Sequence, residues 1–353
     1  MPLDLHTSFA IEVPYPLTMN TAQLFHEVGL NPADYDDLHV SRMLHGFVAV
    51  SHGQVVKVTE PKLRFCPLVA LLYDRPGGSE DVETVKQMMA ENTLMKIKEF
   101  GHFTERRQLE RGDIAVPYGA SEMIMFALRK HHFDCAITVC DGAGTVLCGR
   151  ADVVQGVGAR MNGLFYTTPI AAVIRRLEEH GCIVPFPETA EINQVGGLRR
   201  AAELGHKRIA VTINGYLGDS LAEARAVERE FGVEATLIVV CTTGASPERV
   251  REIRGHGDVV WGCASAGVRE VVGKAAIIQV STAIPVFAVT GRGVRFLACY
   301  SPDGEVFARL DLAKQYLIAG NRQGIAVKMG NMKTSISECP LPARSAKEPY
   351  PLA

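Results

Sequence analysis

Residues Cys140 to Thr145 read Cys-Asp-Gly-Ala-Gly-Thr and directly follow the apolar run that starts at Cys135. A buried strand ending in a thiol, a carboxylate and two glycines puts reactive groups where backbone amides can approach a ligand closely. Two other strand-like runs also end in a thiol. Cys241 precedes Thr242-Thr243-Gly244, and Cys263 precedes Ala264-Ser265-Ala266-Gly267. Ligands of open α/β sheets gather beyond the carboxyl ends of the strands, so these thiols are candidates for a shared cluster or a nucleophile. Thiolates favour zinc or iron–sulfur clusters over magnesium or calcium, and a cluster held by three cysteines leaves one iron open to substrate. The plainer alternative is that cysteine is small and often buried at strand ends, which is the reading for Cys135, Cys182 and Cys299.

The glycine-dense stretch from Asp152 to Gly163 offers permissive backbone and one guanidinium, Arg160. An anion is its natural guest, because Arg160 can fork onto a carboxylate, phosphate or sulfonate while the helix expected at Pro169 supplies free amides. The alternative is a glycine-rich connector with a surface arginine. Gly142, Gly144 and Thr145 after the first strand, and Asn162, Thr167 and Thr168 before that helix, are the candidate substrate contacts. Asp141 is the candidate proton carrier, with Glu122 as another acid–base group. His131-His132 reads as a cationic helix ending rather than a metal site. No Walker loop, His-Glu-x-x-His, Gly-x-Ser-x-Gly or Cys-x-x-Cys occurs, and the glycine spacing is not a dinucleotide fingerprint.

The elements that hold these groups follow from pattern. With 353 residues, 47% hydrophobic and 22% charged, the chain suffices for two domains or one large one. A formal net charge of -2 with scattered lysines and arginines provides no nucleic-acid footprint. Met1 to Leu17 lacks a basic start followed by an apolar core, and the apolar run Ala275 to Thr290 is broken by Gln279, Ser281, Thr282 and Pro285, so no membrane association and a cytoplasmic site are expected. Nine cysteines in a cytoplasmic chain are expected to be free thiols.

Residues 1–116 read as an α+β cap, with a hairpin turning at His52-Gly53 and a helix starting near Ser79. Residues 117–300 alternate strands and helices, the signature of an α/β core with a mainly parallel sheet and helices on both faces. Strands are expected at Cys135–Cys140, Ile209–Ile213, Thr236–Cys241, Val259–Gly262, Ala276–Val280 and Val286–Thr290. Thr168-Pro169 and Ser246-Pro247 each place a capping hydroxyl before a proline at the first helical position. In residues 301–353, with Val294–Tyr300 as its first arm, a hairpin turning at Ser301–Gly304 is expected, then a short helix over Ala313–Ile318 and an extended proline-rich tail.

Val139-Cys-Asp-Gly-Ala-Gly-Thr-Val146, Val154-Gln-Gly-Val-Gly158, Arg160-Met-Asn-Gly-Leu164, Thr167-Thr-Pro-Ile170, Thr242-Thr-Gly244 and Cys263-Ala-Ser265 together resemble the family called methanogenesis marker protein 8, in order and spacing. The resemblance covers roughly Phe47 to Thr290. It implies a cysteine set of Cys66, Cys140 and Cys263, with Cys241 peculiar to this chain. A bacterial-looking relative of a methanogen family implies a shared coenzyme, and coenzyme M, 2-mercaptoethanesulfonate, is the one expected. Making it requires holding a small sulfonate, suited to Arg160, and forming a thiol, suited to an iron–sulfur cluster or, alternatively, zinc on the three cysteines. Cys140→Ala is then expected to abolish metal retention and activity. The other readings are a non-catalytic maturation or assembly factor for a coenzyme M-dependent enzyme, and a metal-free lyase or hydrolase with a cysteine nucleophile at Cys140 or Cys263. A homodimer is the default assembly.

Overall fold

Residues His39 to Val58 form an antiparallel meander of β1 (His39–Met43), β2 (Gly46–Ser51) and β3 (Gln54–Val58). The molecule is seen in a computed structural model that describes residues 19–353 other than 75 and 321. Residues 1–18 of the expected α+β cap, including Met1 to Leu17, lie outside the described residues. The hairpin at His52-Gly53 is present, both residues having the positive φ (48° and 69°) that a two-residue I′-type turn needs. The β1–β2 turn uses Leu44 and His45 (φ 51° and 60°) for the same purpose without glycine, which is strained for residues with a Cβ. The helix expected near Ser79 starts at Val82 and runs to Phe100, with Asp81 as its cap accepting the Thr84 N–H at 2.9 Å, and buries Val85, Met88 and Met89 behind the meander.

β4 (Cys135–Cys140) and β5 (Gly144–Cys148) open a second, larger sheet, and β6 (Leu164–Thr167) then returns to pair with β1. The small sheet thus has the order β3-β2-β1-β6 and takes its last strand from well beyond residue 116. The larger sheet continues with β7 (Arg208–Asn214), β8 (Glu234–Val240), β9 (Val259–Trp261), β10 (Ile278–Val280), β11 (Val286–Ala288), β12 (Tyr316–Ala319), β13 (Ile325–Met329) and β14 (Met332–Glu338), in the order β13-β14-β12-β10-β11-β9-β8-β7-β4-β5. Helices cover both of its faces, as expected. Those at 194–203, 221–231 and 247–256 pack on one side, and those at 120–129, 151–158 and 291–299 on the other.

The sheet is mixed rather than mainly parallel. β4, β7, β8 and β9 run parallel, as do β10 and β12, and the remaining pairings are antiparallel. The link Ser281–Pro285 is too short for a crossover, so β11 must return against β10.

Three local expectations also need correction. Val294–Tyr300 and Glu305–Leu310 do not pair as strands but lie in the helices Gly291–Cys299 and Glu305–Ala308. Thr290 caps the first by accepting the Gly293 N–H at 3.1 Å, and Val294 and Leu297 are buried at helical spacing. The expected short helix is replaced by β12, and the edge hairpin is β13–β14. The glycine-dense stretch is the helix Ala151–Gly158, where Gly156 packs so tightly that a Cβ would lie 2.0 Å from the Leu109 carbonyl oxygen. Ser246-Pro247 caps its helix as expected, whereas Pro169 precedes a helix that starts at Ala171. Among the described residues, no helix is long and apolar enough to cross a membrane.

Candidate anion-binding cavity

The carboxyl ends of β4, β7, β8 and β9 face the small sheet across a cavity of about 750 Å³. Thr138, Asn214, Val240 and Trp261 line it from the large sheet, and Arg42, Met43, Leu164 and Phe165 from the small one. Leu44, His45, Arg160, Cys241 and Cys263 also line it, and each is a non-glycine residue at positive φ (51°, 60°, 63°, 57° and 43°). Such backbone costs about 1–3 kcal/mol per residue, and its concentration around one cavity is the pattern of a preorganised site.

Arg42 is its electrostatic centre. Its side chain is buried, with the guanidinium carbon 4.9 Å from the Phe165 ring centroid and 4.4 Å from that of Tyr216. Nη2 donates to the carbonyl oxygens of Cys241 (2.9 Å) and Thr243 (3.0 Å), while Nη1 is buried without a partner. Among the described residues no carboxylate forms an ion pair with it. Burial holds the Arg42 pKa below its ordinary value, an effect the nearby Cys241 and Cys263 thiols oppose. Burial, together with the charges of Arg42 and Lys62, pushes His45 down to about 4 and so keeps it neutral near pH 7. Arg160, the expected anion holder, also lines the cavity, but its Nη1 is spent on the Leu72 carbonyl at 2.9 Å and its guanidinium lies 4.7 Å from the Phe100 ring centroid. Nothing in the sequence marked Arg42, which sits on a short strand among ordinary residues. Its signal is the missing counter-ion, and that exists only after folding.

The cysteines sort differently from the expectation. Cys66 and Cys263 do reach this cavity, but the third thiol on its wall is Cys241. Burial pushes the Cys66 thiol up to about 11 and that of Cys241 up to about 12. Cys140 is instead fully buried in the core on a large-sheet face, its Sγ 3.4 Å from the Asp141 carbonyl oxygen. The set Cys66, Cys140 and Cys263 therefore does not fit one metal centre. Among the described residues no group of three His, Cys, Asp or Glu side chains is placed to hold a single metal ion. Cys140→Ala is now expected to cost about 1 kcal/mol of stability, as a small buried group does, and to leave ligand binding intact. Urea unfolding and calorimetry on the variant check this.

Asp141, the expected proton carrier, is likewise held by the protein's own groups. It is fully buried, accepts from Arg107 Nε at 2.8 Å and from the Phe103 N–H at 2.5 Å, and lies 3.6 Å from His102 Nδ1. Burial opposes its ionisation, but the charges of Arg107 and His102 outweigh that and hold the carboxyl well below the usual range. The Asp141–Ala143 link is simply the turn between β4 and β5. At Gly144 (φ 66°) a Cβ would stand 2.0 Å from the Ala190 carbonyl oxygen. Gly142 N–H donates to Thr167 Oγ1 at 2.8 Å, Thr145 Oγ1 donates to Gln194 Oε1 at 2.9 Å, and Thr168 Oγ1 accepts the Leu38 N–H at 2.9 Å. The first of these links the two sheets, the second ties β5 to the helix 194–203, and the third joins the segments flanking β1 and β6. Glu122 lines the cavity but accepts the Ala115 and Val116 amides at 3.1 Å each.

Asn162 does reach the cavity, and behind it lies a residue that sequence reasoning missed. Lys96 is buried and donates to Asn162 Oδ1 at 2.7 Å, which also accepts from Tyr73 Oη at 2.9 Å. Burial pushes the Lys96 ammonium down to about 7, with Asp141 opposing and Arg107 adding to the shift. The folded pKa lies below the unfolded value of about 10.4, so the unfolded chain holds the extra proton between them and stability from this group rises with pH from about 7 upward. Lys96→Met should remove that rise. The wild-type urea midpoint should rise relative to that of the variant from pH 7 to pH 8.5.

With this geometry in place, comparison with known proteins gives the chain its kin. The profile of a family described as an uncharacterized protein conserved in archaea (DUF2099) matches residues 39–299, a span that holds Arg42, Cys66, Cys241 and Cys263. An uncharacterized protein of Methanocaldococcus jannaschii, MJ0054, is 36% identical over 268 residues, covering 74% of this chain and 89% of the relative. No solved structure matches. The chain belongs to this family of uncharacterized proteins conserved in archaea.

Proposed function

We propose that the protein is a cytoplasmic enzyme that seats a small organic sulfonate on Arg42 and acts on it beside the cavity thiols, at a late, thiol-forming step of coenzyme M synthesis. The single observation that carries the anion seat is Arg42: a buried guanidinium with Nη1 unpartnered, at the wall of a cavity, without a carboxylate ion pair among the described residues. A buried charge is tolerated when it is paired and hydrogen-bonded, and an anion entering the cavity completes what two carbonyl groups leave unfinished. A sulfonate suits that seat because its oxygens accept from an Nη1 edge and carry charge at every physiological pH. The coenzyme itself rests on the resemblance to methanogenesis marker protein 8 and on the methanogen relative.

The residues divide into two roles. Arg42 binds and orients the anion, with Phe165 and Tyr216 fixing the guanidinium plane. Cys66, Cys241 and Cys263 are the thiols that can meet the bound molecule, and they replace Cys66, Cys140 and Cys263 as the set for any thiolate chemistry. Calorimetry with ethanesulfonate and 2-mercaptoethanesulfonate, against ethylammonium as the cationic control, tests the seat. Sulfonate binding that is lost in Arg42→Met supports it. Equal binding by wild type and variant removes it. An assembly factor would bind sulfonate but convert none of the sulfonate thioethers offered to it.

A further inference from the structure

The cavity is far larger than a two-carbon sulfonate. Its volume of about 750 Å³ lies in the range that encloses whole drug-sized ligands. Part of its wall is apolar: Met43, Leu63, Val69, Leu72, Met161 and Leu164 line it and form or pack against one hydrophobic cluster, on the face of β1 opposite the Phe165 and Tyr216 rings that hold Arg42 and reached from Arg42 past the end of that strand. A second guanidinium on the wall, Arg160, has Nε buried without a partner, but its Nη1 is held by the Leu72 carbonyl and it lies over the Phe100 ring, and the acidic groups on the wall disfavour a second negative head. Asp219 accepts the Gln194 and Val195 amides, and Glu191 accepts from Asn193 Nδ2 at 3.2 Å. We propose that the ligand is an amphipathic monoanion: one sulfonate or carboxylate head on Arg42, joined to an apolar arm several carbons long that lies along the Met43–Leu164 wall. This rests on the Arg42 seat argued above and specifies what is attached to the anion there. The sulfonate then arrives as a conjugate rather than as the free two-carbon acid.

The test is a series of n-alkanesulfonates from ethane to octane, titrated calorimetrically into the full chain and into Arg42→Met. Each methylene moved from water to an apolar wall contributes about 0.8 kcal/mol, so affinity should rise about fourfold per carbon until the wall is filled. Arg42→Met should lose binding along the whole series. Ethanesulfonate binding that depends on Arg42 but does not tighten with chain length overturns the apolar arm and leaves the seat standing. Octanesulfonate binding equally to wild type and Arg42→Met overturns the seat itself, as does no binding at any length.

A separate observation carries a second inference, far from this wall. Leu147 and Ile183 exchange both backbone hydrogen bonds at 2.9 Å, so Cys148 and Cys182 form the next cross-strand pair, the non-hydrogen-bonded register in which Cα atoms come closest. Both thiols are buried and free. Cys182 Sγ donates to Cys148 Sγ at 3.0 Å, and the Arg150 N–H donates to Cys148 Sγ at 3.3 Å. We infer that this is a modification site, a dithiol that a small-molecule disulfide can close. The Cys148 thiolate attacks one glutathione disulfide sulfur and expels a glutathione thiolate; the Cys182 thiolate then displaces the second glutathione. The dithiol loses two protons and two electrons, and one glutathione disulfide becomes two thiols. After incubation in oxidised glutathione and alkylation of the remaining thiols, peptide mapping should find Cys148 linked to Cys182 and a raised melting temperature, with neither in Cys182→Ser. Glutathione adducts on other cysteines without a 148–182 link overturn the assignment.

Discussion

Arg42→Met should raise the dissociation constant of an alkanesulfonate at least a hundredfold and abolish the ligand-induced rise in melting temperature. Methionine fills much the same space and cannot donate, so the anion loses its charged partner and its hydrogen bonds together. Removing one partner of a desolvated charge pair costs about 3–5 kcal/mol, well above the 2.7 kcal/mol of a hundredfold change. The fold should lose less. The Cys241 and Thr243 carbonyl oxygens are left unpaired, about 1–3 kcal/mol each, but removing a buried charge without a carboxylate partner offsets part of that. Arg42→Lys keeps the charge without the planar fork, and an ammonium cannot reach both carbonyl groups and an anion in the same way. It should therefore bind better than Arg42→Met and worse than wild type. Comparing melting temperatures with and without octanesulfonate separates the two losses, because a ligand shift vanishes when the seat is gone whatever the stability of the empty fold.

Elements with local signals were legible in the sequence. Asp81, Ser220 and Ser246 each precede an apolar periodicity and each caps its helix by accepting the N–H three residues on. The runs Ile209–Ile213 and Thr236–Val240 are long, apolar and flanked by helices, and they are the parallel centre of the sheet. The missed strands β1 and β6 lack such signals. His39–Met43 contains histidine, serine and arginine, and becomes a buried strand because β2 and β6 pair with both its edges and hydrophobic clusters cover both its faces. Val294–Tyr300 was ambiguous between periods 2 and 3.6, and the Thr290 cap decides it.

The site was half legible for the same reason. The rule that ligands meet strand ends pointed to Cys241 and Cys263, and both line the cavity, since β8 and β9 are adjacent parallel strands whose ends open on it. It misled at Cys140 because β4 turns straight into β5. The segment Asp141–Ala143 is a hairpin turn wedged against Ala190 and Ile170, with no space in front of it for a ligand. A sequence window shows glycines and a thiol after a strand in either case. Whether the next segment is a crossover or a return depends on pairing partners far along the chain.

Asp141→Asn is the largest expected change in stability, and it separates a structural carboxylate from a catalytic one. Asp141 and Arg107 are both buried, and Arg107 also donates to the carbonyl oxygens of Gln108 and Val157 at 2.5 and 2.9 Å, so the guanidinium cannot turn outward to water when its counter-ion is lost. Breaking such a pair from one side should cost about 3–5 kcal/mol at pH 7. The pH dependence has a definite sign. The folded pKa of Asp141 is depressed, so its contribution is fully present above the unfolded value of about 3.9 and is lost as pH falls from there toward the folded pKa. Burial together with the Arg107 charge pushes His102 down to about 4, so His102 adds a loss of its own as pH falls from the ordinary imidazole value of about 6.5 toward 4; that loss is present in both proteins, and the difference between them reports Asp141. Wild type should therefore lose urea stability steeply below about pH 4.5, whereas Asp141→Asn should start several kcal/mol lower at pH 7 and fall less with acid. A proton carrier would behave in the opposite way, with the fold intact at pH 7 and turnover gone. If the variant keeps its melting temperature but cannot act on a sulfonate, Asp141 belongs to the chemistry; if it melts early yet binds octanesulfonate normally in the cold, the carboxylate serves to anchor the β4–β5 turn on Arg107 and leaves the cavity to Arg42.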